Sequence, residues 1–296
     1  MSFSLKLASL GGFMQVGPMT NLCILTPDPD YEEDWGYVAA QYRGLFGDGL
    51  AFRTWNDAGD LTGFDLVLPL LAWGYQREPA HWFRALDDWE TAGARFANPI
   101  ATLRWNTNKD YLFDLAEAGI AIVPTRIAHS LKSEDVIAAR AAFGCEALVI
   151  KPTISGGADG TYRLNAGDPI PFDVLEREML IQPLMPAIAS EGEFSLFYFA
   201  GTFSHAILKT PQQGDFRVQE QFGGGEVSAE APAAAMTLAK AALRAAPSPL
   251  TYARVDMVRG ADGGFYLMEL ELIEPSLFLD HAGDGGAAFA KAVGEL

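Results

Sequence analysis

Cysteine, positive charge and long apolar runs are all scarce in this sequence. The two cysteines, Cys23 and Cys145, have no C-x-x-C spacing, which argues against a disulfide framework or a zinc knuckle and points to a reducing, cytoplasmic compartment. Lys and Arg number 21 against 38 Asp and Glu, a net charge of −17. No basic stripe exists to neutralise a phosphate backbone, so nucleic acid is not an expected partner, and any polyanionic ligand must meet a local pocket of cations. No uncharged apolar run reaches the ~18 residues that a membrane span needs. Familiar signatures are missing too: there is no G-x-x-x-x-G-K-[ST], G-x-G-x-x-G after a strand, H-E-x-x-H or G-x-S-x-G. P-loop, Rossmann, zincin and serine-hydrolase readings therefore lose their basis. Residues 1–19 carry Lys6 as their one charge and no A-x-A-like site. They read as a loose extension rather than a secretory leader, with Met14 or Met19 as an alternative start.

What is present is an ordinary globular composition, 49% hydrophobic and 20% charged over 296 residues, a length that suggests about two domains. Strand-like runs alternate with helical stretches, so the expected class is α/β (α+β). Residues 20–100 read as a small N-terminal open α/β sheet domain, with strands at Leu22–Leu25 and Phe64–Leu70 flanking a helix over Trp35–Phe46. Asn98-Pro99 breaks the chain, and a helix starting near Asn106–Asn108 is expected to run through Leu115 and end at Gly119. Ile120–Val123 and Ala147–Ile150 read as buried strands around a helix over Ser133–Phe143. Residues 101–190 would form a central subdomain and 191–296 a C-terminal one, the latter with adjacent strands at Phe194–Ala200 and Phe203–Leu208, an Ala-rich helix over Pro232–Ala246 and a final hairpin.

A few cations stand out by position. Lys151 ends ALVIK, Lys209 ends SHAILK and Arg254 lies inside YARVDMV. A cation at the end of a buried strand is costly unless paired, so each is either a snorkelling or ion-paired structural residue or a ligand for an anion. Lys151 is followed by SGGADGT (Ser155–Thr161), whose backbone N–H groups could approach phosphate oxygens; a hairpin turn would have the same composition. In the final hairpin, Arg254, Asp256 and Val258 share one strand face, and by the same period of two so do Phe265, Leu267, Glu269 and Glu271. A four-residue loop over Ala261–Gly264 places Asp256 opposite Glu269. Crowded carboxylates want a compensating cation, and oxygen ligands without His or Cys select a hard ion, Mg²⁺ with Mn²⁺ as the alternative. A solvated polar face of an edge hairpin is the competing account.

In order along the chain, these features resemble the ATP-grasp superfamily of carboxylate–amine ligases, which includes bacterial glutathione synthetase and D-alanine–D-alanine ligase. The resemblance spans roughly Pro99 to Ala290 and implies the ATP-grasp fold, with central and C-terminal subdomains that clasp ATP. By it Lys109 and Lys151 are the two ATP lysines, Ser155, Gly156 and Gly157 belong to the loop over the phosphates, and Gln182, Leu184 and Met185 form the adenine hinge. Glu193 is the ribose acid. Within KTPQQGDFRVQEQFGGG, Lys209 and Arg217 face the phosphates and the reacting carboxylate; Lys151, Lys209 and Arg217 are thereby the catalytic cations. Asp256, Glu269 and Glu271 fall on the metal positions. This chain departs from the pattern in having Glu271 where many relatives carry Asn, in Pro183, which removes a hinge N–H, and in PAIAS (Pro186–Ser190), which lengthens the connection to Glu193. The runs PLLAWGY, LRWNTNK, GDFRVQ and LMELELIEPSLFL are similar to those of the cycloserine-forming ligases of this superfamily.

The resemblance implies an ATP- and Mg²⁺-dependent ligase that activates a small amino-acid-like carboxylate as an acyl phosphate for attack by an amine, in a second molecule or, by ring closure, in the same one. A kinase or a non-catalytic nucleotide-binding module on the same fold is the alternative, and a homodimer is compatible with it. The loop after the first strand gathers Asp28, Asp30, Glu32, Glu33 and Asp34, either to hold a substrate ammonium or as a solvated loop. Trp73, Tyr75, His81 and Trp82 are pocket wall or core, with core the commoner fate of such residues. His205 reads as a satisfied strand residue rather than a general base.

Overall fold

A computed structural model describes residues 21–32, 35–212 and 214–296; the expected extension over residues 1–19 lies outside them. Twelve strands and eight helices are named here among the described residues. In chain order they are β1 (Leu22–Thr26), α1 (Gly36–Phe46), β2 (Ala51–Thr54), β3 (Leu66–Leu68), α2 (Pro79–Ala92), α3 (Ile100–Thr107), α4 (Tyr111–Glu117), β4 (Arg126–Ala128), α5 (Ser133–Phe143), β5 (Leu148–Pro152), β6 (Tyr162–Leu164), β7 (Met179–Pro183), α6 (Ala187–Ser190), β8 (Glu193–Phe199), β9 (Thr202–Thr210), β10 (Gly225–Ser228), α7 (Ala233–Ala245), β11 (Tyr252–Arg259), β12 (Phe265–Glu271) and α8 (Ala287–Gly294).

The strands make three sheets: a parallel β2-β1-β3, an antiparallel β4-β7-β5-β6 and an antiparallel β10-β9-β8-β11-β12. β1 is buried along its whole length, as a parallel strand covered on both faces must be. Cys23, Leu25 and Val67 pack with Trp55, Trp82 and Trp89 on one side of that sheet. On the other, Leu22, Ile24 and Leu68 meet Phe197, Phe199 and Tyr252 of the five-stranded sheet together with Phe289 of α8. The opposite face of the five-stranded sheet is closed by Ala235, Ala239 and Ala242 of α7 and by Leu112 and Leu115 of α4. Small Ala side chains let that helix sit close against the strands.

Local chemistry sets the helix ends. The Asp135 carboxylate accepts the Lys132 N–H (2.9 Å) at the start of α5, and Gly144 ends it in a left-handed conformation that glycine adopts without strain.

Three sequence expectations need correction. The helix expected from Asn106–Asn108 to Gly119 starts later, as α4, and a separate, unexpected helix, α3, precedes it directly after Pro99; the break falls at Asn108–Asp110, so that the Lys109 N–H bonds Thr153 C=O (2.8 Å) instead of continuing a helix. Ile120–Val123 is not a strand. Leu267 N–H donates to Ala121 C=O and Val123 N–H to Leu267 C=O (2.9 Å each), so this segment covers the outer edge of β12 without forming a ladder of its own. Asn106 and Tyr111 serve Leu270 and Leu272 on the same edge, which leaves it closed to further strands.

The hairpin is the third. The loop is Gly260–Gly264, so Arg259 pairs with Phe265 and Met257 with Leu267, and a β-bulge follows before Asp256 pairs with Glu269. The expected pair is present, but only because Met268 is an extra residue that makes up the difference. The bulge also reverses the alternation. Phe265 and Leu267 point into the same core as Leu270 and Leu272, not to the side of Glu269 and Glu271.

Candidate functional site

The register across β9, β8, β11 and β12 brings Lys209, Glu193, Ser195, Arg254, Asp256, Glu269 and Glu271 to one face of the five-stranded sheet. Every acid on it meets a cation. Lys151, from the end of β5 in the neighbouring sheet, donates to Glu269 (2.7 Å). Lys209 lies 3.3 Å from Glu193 and 3.7 Å from Asp256. Arg254 places Nε and Nη2 on Asp256 (3.0 and 2.9 Å) and Nη2 also on Glu271, while Ser195 donates a further hydrogen bond to Asp256. A planar guanidinium can serve two carboxylates at once where an ammonium could not hold that geometry.

The charges do not balance evenly. Burial raises the Asp256 carboxyl, but Arg254 and Lys209 outweigh it and hold the group below the usual carboxylate range. At Glu269 burial is likewise overcome, by Lys109 and Lys151. Glu271 goes the other way: burial, with Asp256 and Glu269 on the same face, pushes it up to about 7 in spite of Arg254. Glu193 is also raised, chiefly by burial. Two acids of the face are therefore held low by their cations, while at the other two the loss of water outweighs them.

The donor set can be tested against a magnesium ion. It is all carboxylate oxygen, and that fits a hard divalent ion. Among the described residues, however, no three acids are already gathered at ligating distance. Glu269 and Glu271 keep part of their side chains exposed, whereas both oxygens of Asp256 are engaged by Arg254 and one also by Ser195.

Just beyond the end of β5, which carries Lys151, stands the glycine-rich loop. Lys109 Nζ donates to Ser155 C=O (2.5 Å) and lies 3.2 Å from its Oγ, so the two expected ATP-binding residues are in contact. Gly157 and Gly160 adopt positive φ (59° and 64°); at Gly160 a Cβ would meet Pro152 at 2.9 Å, so a side chain would force the loop away from the end of β5. Gln221 donates to Gly157 C=O (3.1 Å) and ties this loop to the one that carries Arg217. Arg217 itself is turned to Asp215 (2.8 Å) and lies 3.6 Å over the Phe222 ring. The structure does not bring it to the sheet face with Lys151 and Lys209.

At the hinge, Gln182 is buried and donates to Thr125 (2.8 Å). The Leu184 N–H is committed to Ala147 C=O (3.0 Å), and Met185 packs with Ile188 and Val258. The PAIAS insertion is accommodated as the single turn α6.

On the N-terminal side, Trp82 and Tyr75 are core, stacked at 4.7 Å, and His81 leans on Trp55. Trp73 instead reaches Glu274 C=O (3.4 Å). In the acidic loop, Asp30 and Glu32 are exposed, as a solvated loop would be, and Glu33 and Asp34 lie outside the described residues. His205 stacks on Phe197 at 4.2 Å and bonds Leu277 C=O, a satisfied strand residue as expected.

The sequence leaves Glu274 unmarked, and it marks Arg254 without showing its bridging role. Arg254 was noted as a cation, but its bridge between Asp256 and Glu271 depends on the bulge that turns Glu271 to its side. Glu274 has no strand pattern to mark it, yet it stands beside Tyr75, Glu271 and Lys109, and burial and Glu271 push its carboxyl up to about 8.

No family model matches the chain. It is 31% identical over 266 residues to the cycloserine biosynthesis protein DcsG of Streptomyces lavendulae, covering 81% of this chain and 86% of that protein. Among solved structures it is similar to D-cycloserine synthetase DcsG, with a TM-score of 0.77 and 27% identity over 93% of this chain and 98% of the other. A D-alanine–D-alanine ligase from Bacillus anthracis complexed with ATP shares the fold at a TM-score of 0.68 and 17% identity, over 93% and 96% of the two chains.

Proposed function

Because the chain belongs to the ATP-grasp ligases, enzymes that join carbon to nitrogen with ATP, we propose that it activates the carboxylate of a small amino-acid-like substrate and captures it with an amine. The observation that carries this reading is the convergence of Lys109, Lys151, Lys209 and Arg254 on one acidic sheet face beneath a glycine-rich loop. Four cations crowded with carboxylates in a low-dielectric cleft are held ready for an anion with several charges.

Lys109, Lys151 and the N–H groups of Ser155–Gly157 would hold the phosphates, Gln182, Leu184 and Met185 would line the adenine site, and Glu193 would take the ribose. Leu184 would contribute its side chain or carbonyl, since its N–H is used. Asp256, Glu269 and Glu271 would hold Mg²⁺, which supplies charge neutralisation at the phosphates. Each acid is now covered by a lysine or arginine. As those cations turn to the phosphates, the carboxylates they release become available to the metal.

In the chemical step a substrate carboxylate oxygen bonds to the γ-phosphorus as its bond to the β–γ bridging oxygen breaks and ADP leaves. The amine nitrogen then bonds to the acyl carbon, phosphate departs with the C–O bond electrons, and the amine gives up one proton. Lys209 and Arg254 lie where they can offset the charge on the transferring group, and Arg217, released from Asp215, would steady the acyl phosphate.

The likeness to DcsG favours a one-substrate version, in which the amine belongs to the same molecule and the product is a cyclic amide. Screening amino acids and aminooxy amino acids for Mg²⁺-ATP-dependent ADP release, with products weighed by mass spectrometry, tests the reading. ADP release with one compound and a product lighter by one water indicates ring closure, and a requirement for two compounds indicates intermolecular coupling. D256N and E269Q should abolish turnover without unfolding the protein; full activity in either removes the metal assignment.

A further inference from the structure

We propose that Glu274, with the Tyr75 hydroxyl beside it, is the subsite for the substrate's ammonium group, and that it selects α-amino acids over plain carboxylic acids. The assignment rests on the ligase reading and names the substrate class that this site takes.

The segment that carries Glu274 is held unusually firmly for a loop. Tyr252 donates to Ile273 C=O (2.7 Å), Trp73 to Glu274 C=O (3.4 Å), Arg254 to Ser276 C=O (3.4 Å) and His205 to Leu277 C=O (3.0 Å). Four side chains from three different stretches, Tyr252 and Arg254 both on β11, thus fix a backbone that belongs to no helix or strand. The Glu274 side chain is consequently presented in one place, a few residues beyond Glu271, where the reacting carboxylate would meet the phosphates. Such preorganisation serves a recognition group better than a solvated acid.

The surroundings are built from the N-terminal part of the chain. Gln76 lies against Gly156 of the glycine-rich loop and accepts the Gly74 N–H (3.1 Å), while Tyr75 and Trp73 stand at Glu274 itself. The segment 73–76 therefore joins Glu274 to the phosphate side of the cleft, and a small substrate would lie between them.

Glu274 lacks a cation of its own. Glu193, Asp256, Glu269 and Glu271 each have an ion-pair partner, but among the described residues no ion pair includes Glu274. Lys109, the cation that acts on it electrostatically, is already donating to Ser155. A part-buried carboxylate near a second one, hydrogen-bonded by a phenol and a backbone N–H but held in no ion pair, is completed by a mobile positive group, and an amino acid's ammonium has the charge and donors to do so.

The test is calorimetric. The full chain loaded with Mg²⁺ and a non-hydrolysable ATP analogue is titrated with alanine, serine and 3-aminooxyalanine, each as both enantiomers, and with the matching acids that lack the α-amino group. In the wild type at least one amino acid binds at least about tenfold more tightly than its des-amino counterpart. E274Q loses that preference and keeps its nucleotide affinity, and Y75F loses part of it, which covers the case in which E274Q fails to fold. A preference that survives in E274Q, or a wild type that binds no amino acid better than its des-amino partner, overturns the assignment. ADP release is followed in parallel. Discrimination through Glu274 without turnover on any compound would sink the ligase reading and leave the subsite standing; turnover indifferent to the α-amino group would do the reverse.

Discussion

Glu269 stands opposite Asp256 across the β11–β12 pair, and it does so because Met268 is one residue more than the ladder can pair. Before the bulge, Phe265 and Leu267 fill the core beneath α7; after it, the residues in the same alternation are turned the other way, and the two glutamates reach the cation-bearing face. The acids of the site depend on an irregularity that strict alternation would not produce.

Deleting Met268 should therefore be far more damaging than its size suggests. With a regular ladder the glutamates turn toward Leu112, Leu115 and the alanines of α7, and two carboxylates cannot be buried there unpaired. Loss of soluble folded protein, or a fall of several kcal/mol in denaturant stability with no ADP release, is the expected result. M268A, which keeps the residue count, should remain folded and active. A deletion variant that folds and turns over as well as M268A would show that the bulge is dispensable.

Arg254 holds Asp256 and Glu271 apart from each other's charge. Replacing it with Met leaves Glu271 without its cation and buried Asp256 with Lys209 alone at 3.7 Å, at a cost of about 3–5 kcal/mol. Millimolar Mg²⁺ should then raise the melting temperature of R254M more than that of the wild type, since the metal takes over the missing charge. Equal shifts in the two proteins would argue that the metal binds elsewhere.

The folded protein should not depend on metal. Each acid on the sheet face has a lysine or arginine partner, so EDTA is expected to leave the melting temperature unchanged while it abolishes turnover, with activity restored by Mg²⁺. A large destabilisation by EDTA would contradict this distribution of charge.

Glu274 predicts a pH dependence of stability. Its carboxyl is raised from the ordinary 4.5 to about 8 by burial and by Glu271, against a partial opposing effect of Lys109, with Tyr75 beside it. Between those values the folded state binds more protons than the unfolded one, so this contribution is full below pH 4.5 and is lost as pH rises through 8, with a slope of at most ~1.4 kcal/mol per pH unit. Urea titrations of the wild type from pH 5 to 8 should show that decline, and E274Q should make it shallower, with the raised Glu271 and Glu193 keeping their own share. Glu269, whose carboxyl is lowered, acts in the opposite sense and loses its contribution on the acid side.

Much of this was legible in the sequence where chemistry is local. The helix over Ser133–Phe143 and the strands that carry Lys151 and Lys209 near their ends follow from periodicity and from polar residues set in apolar runs, whereas the facing pair Asp256–Glu269 is reached through a bulge that periodicity does not give. What escaped depends on contacts between distant stretches. Ile120–Val123 has a strand's composition, but its bonds to the sheet reach Leu267 alone while Ile120 N–H turns back to Leu115 C=O, and composition does not reveal a missing partner. Arg217 was placed by its motif among the phosphate-facing cations, whereas the structure pairs it with Asp215 and Phe222. Glu274 lies on an irregular segment that four remote side chains hold in place, and no spacing rule identifies such a residue.

The hydrogen bond from Gln221 to Gly157 has a kinetic consequence. It fastens two otherwise separate glycine-rich loops, so any displacement of one over a bound nucleotide drags the other, with Arg217 stacked on it. Nucleotide trapping in the wild type should accordingly register as a single relaxation in stopped-flow fluorescence. In Q221A the loops would come uncoupled, and a second, slower phase would separate from the first.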